Sequence, residues 1–202
     1  MRKITVILFM MLIAFSAHAQ VHPAIQRIRQ TNGAISSFDA DLANTQQKPN
    51  KKTEQKGKLY FVASNQFAAM FDNGKYMIVN ENRLKINIGM FHGKFKLREG
   101  GMMRSLSNIF LYGFQGRCED LAKEENYALK VNDTGKLYQV VCTAKKKPLF
   151  GIGYQTVIFN YEKDGFLLRE IVLMDSDDNI DTYAISNVKY NVAVAADKFN
   201  TN

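Results

Sequence analysis

The chain has 202 residues, 46% of them hydrophobic, and carries a formal net charge of +8. That length suits one domain of ordinary size with a genuine core. The basic balance narrows the partners to nucleic acid, anionic lipid headgroups or acidic proteins, and two features argue against nucleic acid: Lys and Arg are scattered along the chain, and the N-terminus reads as an export signal.

Arg2 and Lys3 form a positive start, Ile4 to Phe15 an apolar run, and Ala17-His18-Ala19 the small-x-small site of a signal peptidase. The run is shorter than the roughly 17–25 residues of a spanning helix. Residues 1–19 are therefore expected to be a cleaved signal peptide, and residues 20–202 a single mature domain whose charge falls to +6 with the loss of Arg2 and Lys3. No Cys follows the cleavage site, so the mature chain is not expected to be lipid-anchored itself.

His22 to Gly33 has the spacing of a short amphipathic helix, with Pro23 near its start and Ala24, Ile25 and Ile28 on one face. Ser36 to Gln47 alternates as a half-buried strand, with Phe38, Ala40 and Leu42 on one side. Lys48 to Lys56 reads as a charged connector. Strands are expected over Lys58–Ala63 and Gln66–Asp72, then a tight hairpin at Asp72-Asn73-Gly74, then strands over Lys75–Val79 and Arg83–Ile88.

Between Gly89 and Glu125 the pattern changes to a Gly/Met/Phe-rich insert, with helical spacing over Met102–Phe110 and a second short helix over Cys118–Glu125. Strands resume at Tyr127, and follow over Leu137–Thr143, Tyr154–Tyr161, Phe166–Met174 and Tyr183–Tyr190. The fold class is mainly β with helices (α+β), a meandering antiparallel sheet with a helical N-terminus and a mobile helical insert.

No residue set reads as catalytic. His22 and His92 lack a second His or Cys at metal-ligand spacing, and no phosphate-cradling or dinucleotide fingerprint is present. Asp175, Asp177, Asn179 and Asp181 mimic half a calcium loop, but Ile180 stands where the bend needs glycine and Ser186 where the closing Glu belongs. The run Lys145-Lys146-Lys147 has the pattern of a solvated loop. Cys118 and Cys142 are a candidate disulfide in an oxidising compartment, or equally two small buried hydrophobes. Leu59, Phe61 and Ala63 share one strand face, and Phe67, Ala69 and Phe71 the next. Beside a lid rich in flexible thioethers, these faces build either plain core or an apolar pocket.

The order of several short motifs resembles the periplasmic outer-membrane lipoprotein carrier LolA and its relatives. Ser36-Ser37-Phe38 with Ala40, Leu42 and Gln46 looks like that family's first strand, and Gly57-Lys58-Leu59-Tyr60-Phe61 like its Gly-x-Leu-aromatic-hydrophobic strand. Asn65 and Phe67, the Asp72-Asn73-Gly74-Lys75 turn, Tyr127 to Leu129, Asp164-Gly165 and the closing Ala196-Asp197-Lys198-Phe199 follow in the family's order.

The resemblance implies an incomplete antiparallel β-barrel, a half-barrel with a helical lid enclosing an apolar cavity for lipoprotein acyl chains, with no cofactor, no metal and no enzymatic activity. It implies a periplasmic monomer that takes acylated lipoproteins or other lipid cargo from an inner-membrane ABC transporter to an outer-membrane receptor. Phe67 falls at a cavity-facing aromatic of the family. The expected cavity residues are Leu59, Phe61, Phe67, Ala69, Phe71, Met90, Phe91, Met102, Met103, Leu106, Ile109 and Phe110. One departure stands out: the family's Arg-Pro, which latches barrel to lid, is replaced here by Ala63-Ser64.

Overall fold

The computed structural model describes residues 22–88, 91–146 and 153–202; the expected signal peptide lies outside them. Helix α1 (Pro23–Gly33) opens the described chain. The His22 side chain accepts a hydrogen bond from the Ala24 amide at 3.2 Å, supplying the cap that Pro23 in the first turn leaves room for. Six strands follow: β1 (Ser37–Lys48), β2 (Lys51–Val62), β3 (Gln66–Phe71), β4 (Tyr76–Asn80), β5 (Arg83–Ile88) and β6 (Phe91–Lys96). Helices α2 (Met102–Phe114) and α3 (Cys118–Glu124) lead to β7 (Tyr127–Asp133), β8 (Leu137–Ala144), β9 (Thr156–Glu162), β10 (Leu168–Met174) and β11 (Ile180–Tyr190), and a 3-10 turn, Ala196–Phe199, follows the last strand.

All eleven strands belong to one antiparallel sheet in the order β6-β5-β4-β3-β2-β1-β11-β10-β9-β8-β7. Two meanders are thus joined where the last strand pairs with the first, through partners such as Leu42↔Ile185. The sheet does not close, because β6 and β7 are its two edges. The chain that connects those edges includes α2 and α3.

Register explains the core. Along a strand alternate residues face one side, and the inward sets meet across the pairs: Ala40↔Leu59, Phe61↔Phe67, Ala69↔Met77, Val79↔Leu84, Val140↔Phe159 and Ile171↔Tyr183. These side chains are buried and join α1 and α2 in one hydrophobic core. A smaller cluster on the opposite face packs Phe199 of the closing turn on Ala68 and Ile78, and the Asn80 side-chain amide donates to the Phe199 carbonyl at 3.1 Å.

Three sequence expectations need correction. Lys48 to Lys56 is not a connector: β1 and β2 pair without interruption up to Lys48↔Lys51, so this stretch is the tip of a long hairpin. The Gly89–Glu125 insert is not wholly helical either, since Phe91–Lys96 forms edge strand β6 against β5. The second helix runs four residues beyond its expected end at Phe110, to Phe114.

Gly57 faces Leu42 on β1 and Phe71 on β3, where the backbones come close. A Cβ there would stand 2.0 Å from the Met70 carbonyl oxygen and 2.7 Å from Phe71 Cα. Backbone cannot rotate aside as a side chain does, so Gly57→Ala should destabilise the domain by about 3 kcal/mol, the upper end of overpacking costs. Urea unfolding of the two proteins measures this, and an unchanged midpoint would show that the strands part freely.

Candidate functional site: the concave wall and helix α2

The concave face of β1–β4 presents Phe38, Leu42, Leu59, Phe61, Phe67, Ala69 and Phe71, all at most 5% exposed. Helix α2 lies on this wall. Its second half, Ser107 to Phe114, is buried throughout, whereas Met103 to Leu106 are half-buried and Met102 is 41% exposed.

The contact is mainly aromatic. Phe114 packs edge-on against Phe38 at 5.4 Å between ring centroids, Phe61 at 5.5 Å and Phe67 at 5.7 Å. Phe110 lies 5.5 Å from Phe67 and meets Tyr183 at 5.1 Å with the rings perpendicular. Such geometries add about 0.5–1.5 kcal/mol per pair beyond area burial. Helix and wall bury each other's side chains, leaving Phe110 3% and Phe114 2% exposed.

The two ends of α2 are held differently. Near its C-terminal end, Gly113 lets the helix sit directly on β9 and β10; a Cβ there would meet the Phe159 ring at 2.7 Å and Ile171 at 3.3 Å. Tyr161 donates its hydroxyl proton to the Gly113 carbonyl at 2.8 Å. That phenol has one proton to give, so the Cys118 thiol, 3.3 Å away, donates to the Tyr161 oxygen. At the N-terminal end Gly101 supplies no capping side chain, and Gly100 holds φ +68° with open space around it. Ser105 and Tyr112 donate to Glu125 and Glu124, both at 2.6 Å, tying α2 to the end of α3.

Of the residues expected in the cavity, Leu59, Phe61, Phe67, Ala69 and Phe71 lie on the wall, and Ile109 and Phe110 on the buried part of α2. Met103, Leu106 and Phe91 are half-buried against the same core. Met102 is exposed, and Met90 lies outside the described residues. Sequence reading missed Phe114, which touches more rings of the wall than any residue named in advance. Its i, i+4 spacing from Phe110 was the available signal. The candidate disulfide is not formed: Cys118 and Cys142 are buried free thiols, and Cys118 is engaged with Tyr161.

Farther along the same strand face the wall turns polar. Asn44, 1% exposed, donates to the Thr182 carbonyl at 3.2 Å and accepts from the Gln55 amide at 2.8 Å; Gln55 in turn accepts from Asn73 at 2.8 Å. Among the described residues no group of His, Cys, Asp and Glu could hold a metal ion, and no helix is long and apolar enough to cross a membrane.

Burial pushes the Cys142 thiol up to about 12 and the Cys118 thiol higher still, and raises the Tyr161 and Tyr183 phenols well above their ordinary values. A thiolate is the reactive form, so both cysteines should resist alkylation at pH 8 in the native protein and react on denaturation. The phenols' raised values favour the folded state while they remain protonated. Their contribution is complete below about pH 10 and is lost as pH rises above it. Unfolding midpoints should fall above that pH, and less steeply in Tyr183→Phe; identical profiles would contradict the assigned burial.

No family model and no curated protein matches the chain. Solved structures do. An uncharacterized conserved protein from Thermus thermophilus is similar at a TM-score of 0.51 and 8% identity, over 88% of this chain and 91% of that one. MucB is similar at a TM-score of 0.50 and 10% identity, over 92% of this chain but 64% of that one, so this chain spans slightly under two thirds of it. The LolA superfamily protein NE2245 from Nitrosomonas europaea is similar at a TM-score of 0.43 and 10% identity, over 88% and 96% of the two chains. The fold is shared with the Thermus and MucB structures.

Proposed function

We propose that this protein is an exported periplasmic carrier that takes the acyl chains of lipoproteins, or of another amphiphile, onto the concave wall, and that the structure is its closed form. The observation that carries this reading is the cover on the wall: one helix whose second half is clamped and whose first half is half-exposed behind an open glycine. Ligand pockets run to about 300–1,000 Å³, whereas the wall residues, Phe110 and Phe114 are all packed to at most 5% exposure. Acyl binding therefore requires α2 to move off the wall, exchanging Phe110 and Phe114 for cargo.

The exchange is close to balanced in kind. Apolar ring surface leaves the wall and apolar chain replaces it, while the cargo escapes a penalty on the order of 12 kcal/mol for a sixteen-carbon chain in water. A cover that fits by apolar contact rather than by many directed hydrogen bonds suits such reversible replacement. The Ala63-Ser64 departure agrees with this, since the cover is held through Gly113 and Glu124–Glu125 instead of the family's Arg. In this reading an inner-membrane ABC transporter complex loads the carrier, and an outer-membrane receptor unloads it.

The filled interior favours one other reading, a non-transporting interaction module on the same fold. MucB has been solved in complex with MucA. Binding of a fluorescent acyl probe, with native mass spectrometry of protein taken from the periplasm, separates the two. The carrier reading expects bound lipid and probe uptake, both abolished in Phe67→Glu. Leu106→Lys, at a half-buried position that tolerates charge without unfolding, should weaken uptake by tenfold or more, corresponding to about 1.4 kcal/mol. No uptake by a folded wild-type protein that co-purifies with a protein partner would select the interaction module.

A further inference from the structure

The inner face of the sheet is graded along its strands. On β1 the inward positions run Phe38, Ala40, Leu42, then Asn44 and Gln46, then Lys48. On β2 they run Phe61, Leu59 and Gly57, then Gln55 and Thr53, then Lys51. Across the next hairpin, Phe71 is followed at inward parity by Asn73, and Met77 is preceded by Lys75. Apolar wall, amide band and lysine rim thus succeed one another on four adjacent segments. From Leu42 to Lys48 the rise is about 20 Å at about 3.4 Å per residue.

The rim is a groove. On its β2 side the tip of the β1–β2 hairpin runs free, because β2 pairs with β3 only from Gly57↔Phe71 onward, while β1 stays paired with β11 as far as Gln47↔Ile180. Between the hairpin tip and the β3–β4 turn lies a cleft of about 330 Å³, whose charged lining is Lys48, Lys51, Lys75 and Glu54. Lys48 and Lys51 are direct cross-strand partners, a like-charge pairing that costs stability. Neither they nor Lys75 belongs to an ion pair among the described residues, and the nearby Glu54 is taken by Lys52 at 2.8 Å. On the β11 side, Asp181 pairs in register with Gln46 and is the acidic neighbour along the strands. Three lysines against one carboxylate in the lining, that carboxylate already paired with Lys52, fit the cleft to a compact anion.

We propose that this groove receives the anionic, phosphate-bearing headgroup of an amphiphile whose acyl chain occupies the apolar wall below it. The inference rests on the acyl-carrier reading above and names the cargo class. Continuity of the strand faces assigns the anion to a lipid rather than to free phosphate, because the lysines are the outer end of the same inward rows that form the acyl wall.

The test compares three probes on wild type and on Lys48→Gln/Lys51→Gln/Lys75→Gln. These are lysophosphatidic acid with one palmitoyl chain, monopalmitoylglycerol with the same chain and no charge, and inorganic phosphate alone. Rim substitutions lie outside the packed core, and circular dichroism confirms the fold. Wild type should bind the phosphate lipid about tenfold more tightly than the neutral one. The triple variant should bind both as wild type binds the neutral one, with neutral binding unchanged. Equal affinities in wild type would overturn the headgroup site and leave the carrier reading standing, as would equal losses of both lipids in the variant. Inorganic phosphate binding as tightly as the phosphate lipid would overturn it in favour of a free-anion site. Failure of wild type to bind either lipid would overturn the carrier reading and the headgroup site together.

Discussion

The structure depends on one contact, the packing of Phe110 and Phe114 of α2 into Phe38, Phe61, Phe67 and Tyr183 of the sheet. An eleven-stranded antiparallel sheet that does not close has an inner face with the area of a barrel interior but no opposite wall to bury it. That surface must be covered, since each fully buried large apolar side chain contributes about 1.5–3 kcal/mol. The chain covers it with the segment that must in any case cross from edge β6 to edge β7. Topology therefore puts α2 on the wall, and Gly113 lets its C-terminal end sit close against Phe159 and Ile171 of β9 and β10.

In the proposed carrier reading the same contact makes the cover exchangeable. Nearly all of its strength is apolar, and its directed hydrogen bonds sit at the margins, from Tyr161 to Gly113 and from Ser105 and Tyr112 to the acidic end of α3. In that reading another apolar object of suitable shape replaces Phe110 and Phe114, and the buried Tyr161 hydroxyl gives up the Gly113 carbonyl while keeping the Cys118 thiol beside it. The polar demands of the wall are met elsewhere, by the Asn44–Gln55–Asn73 band, which belongs to the sheet and stays when the helix moves.

Much of this was legible in the sequence because it is local. The alternation of Phe38, Ala40 and Leu42, the Asp72-Asn73-Gly74 turn and the start of α2 at Met102 all rest on period or turn chemistry within a few residues. What escaped is non-local or masked by composition. The stretch Lys48 to Lys56 has the charge of a loop, yet it is held as strand by continuous pairing across the hairpin. Phe91–Lys96 has the glycine and lysine of a loop, yet β5 recruits it as an edge, where exposed lysines guard against further pairing. The pairing of β1 with β11, which joins the two meanders, links residues some 140 positions apart and leaves no mark in any short window. The candidate wall was readable for the same reason as the strands, and its outer lysine rim was not, because the hairpin carrying it was read as a connector.

The central claim is that α2 leaves the wall when an acyl chain arrives. Hydrogen exchange of the backbone amides, followed by mass spectrometry with and without a saturating single-chain amphiphile, tests it most directly. The account predicts that amides of 102–114 lose protection on loading while those of β1 to β4 keep theirs. Bound amphiphile with α2 as protected as the sheet would contradict it.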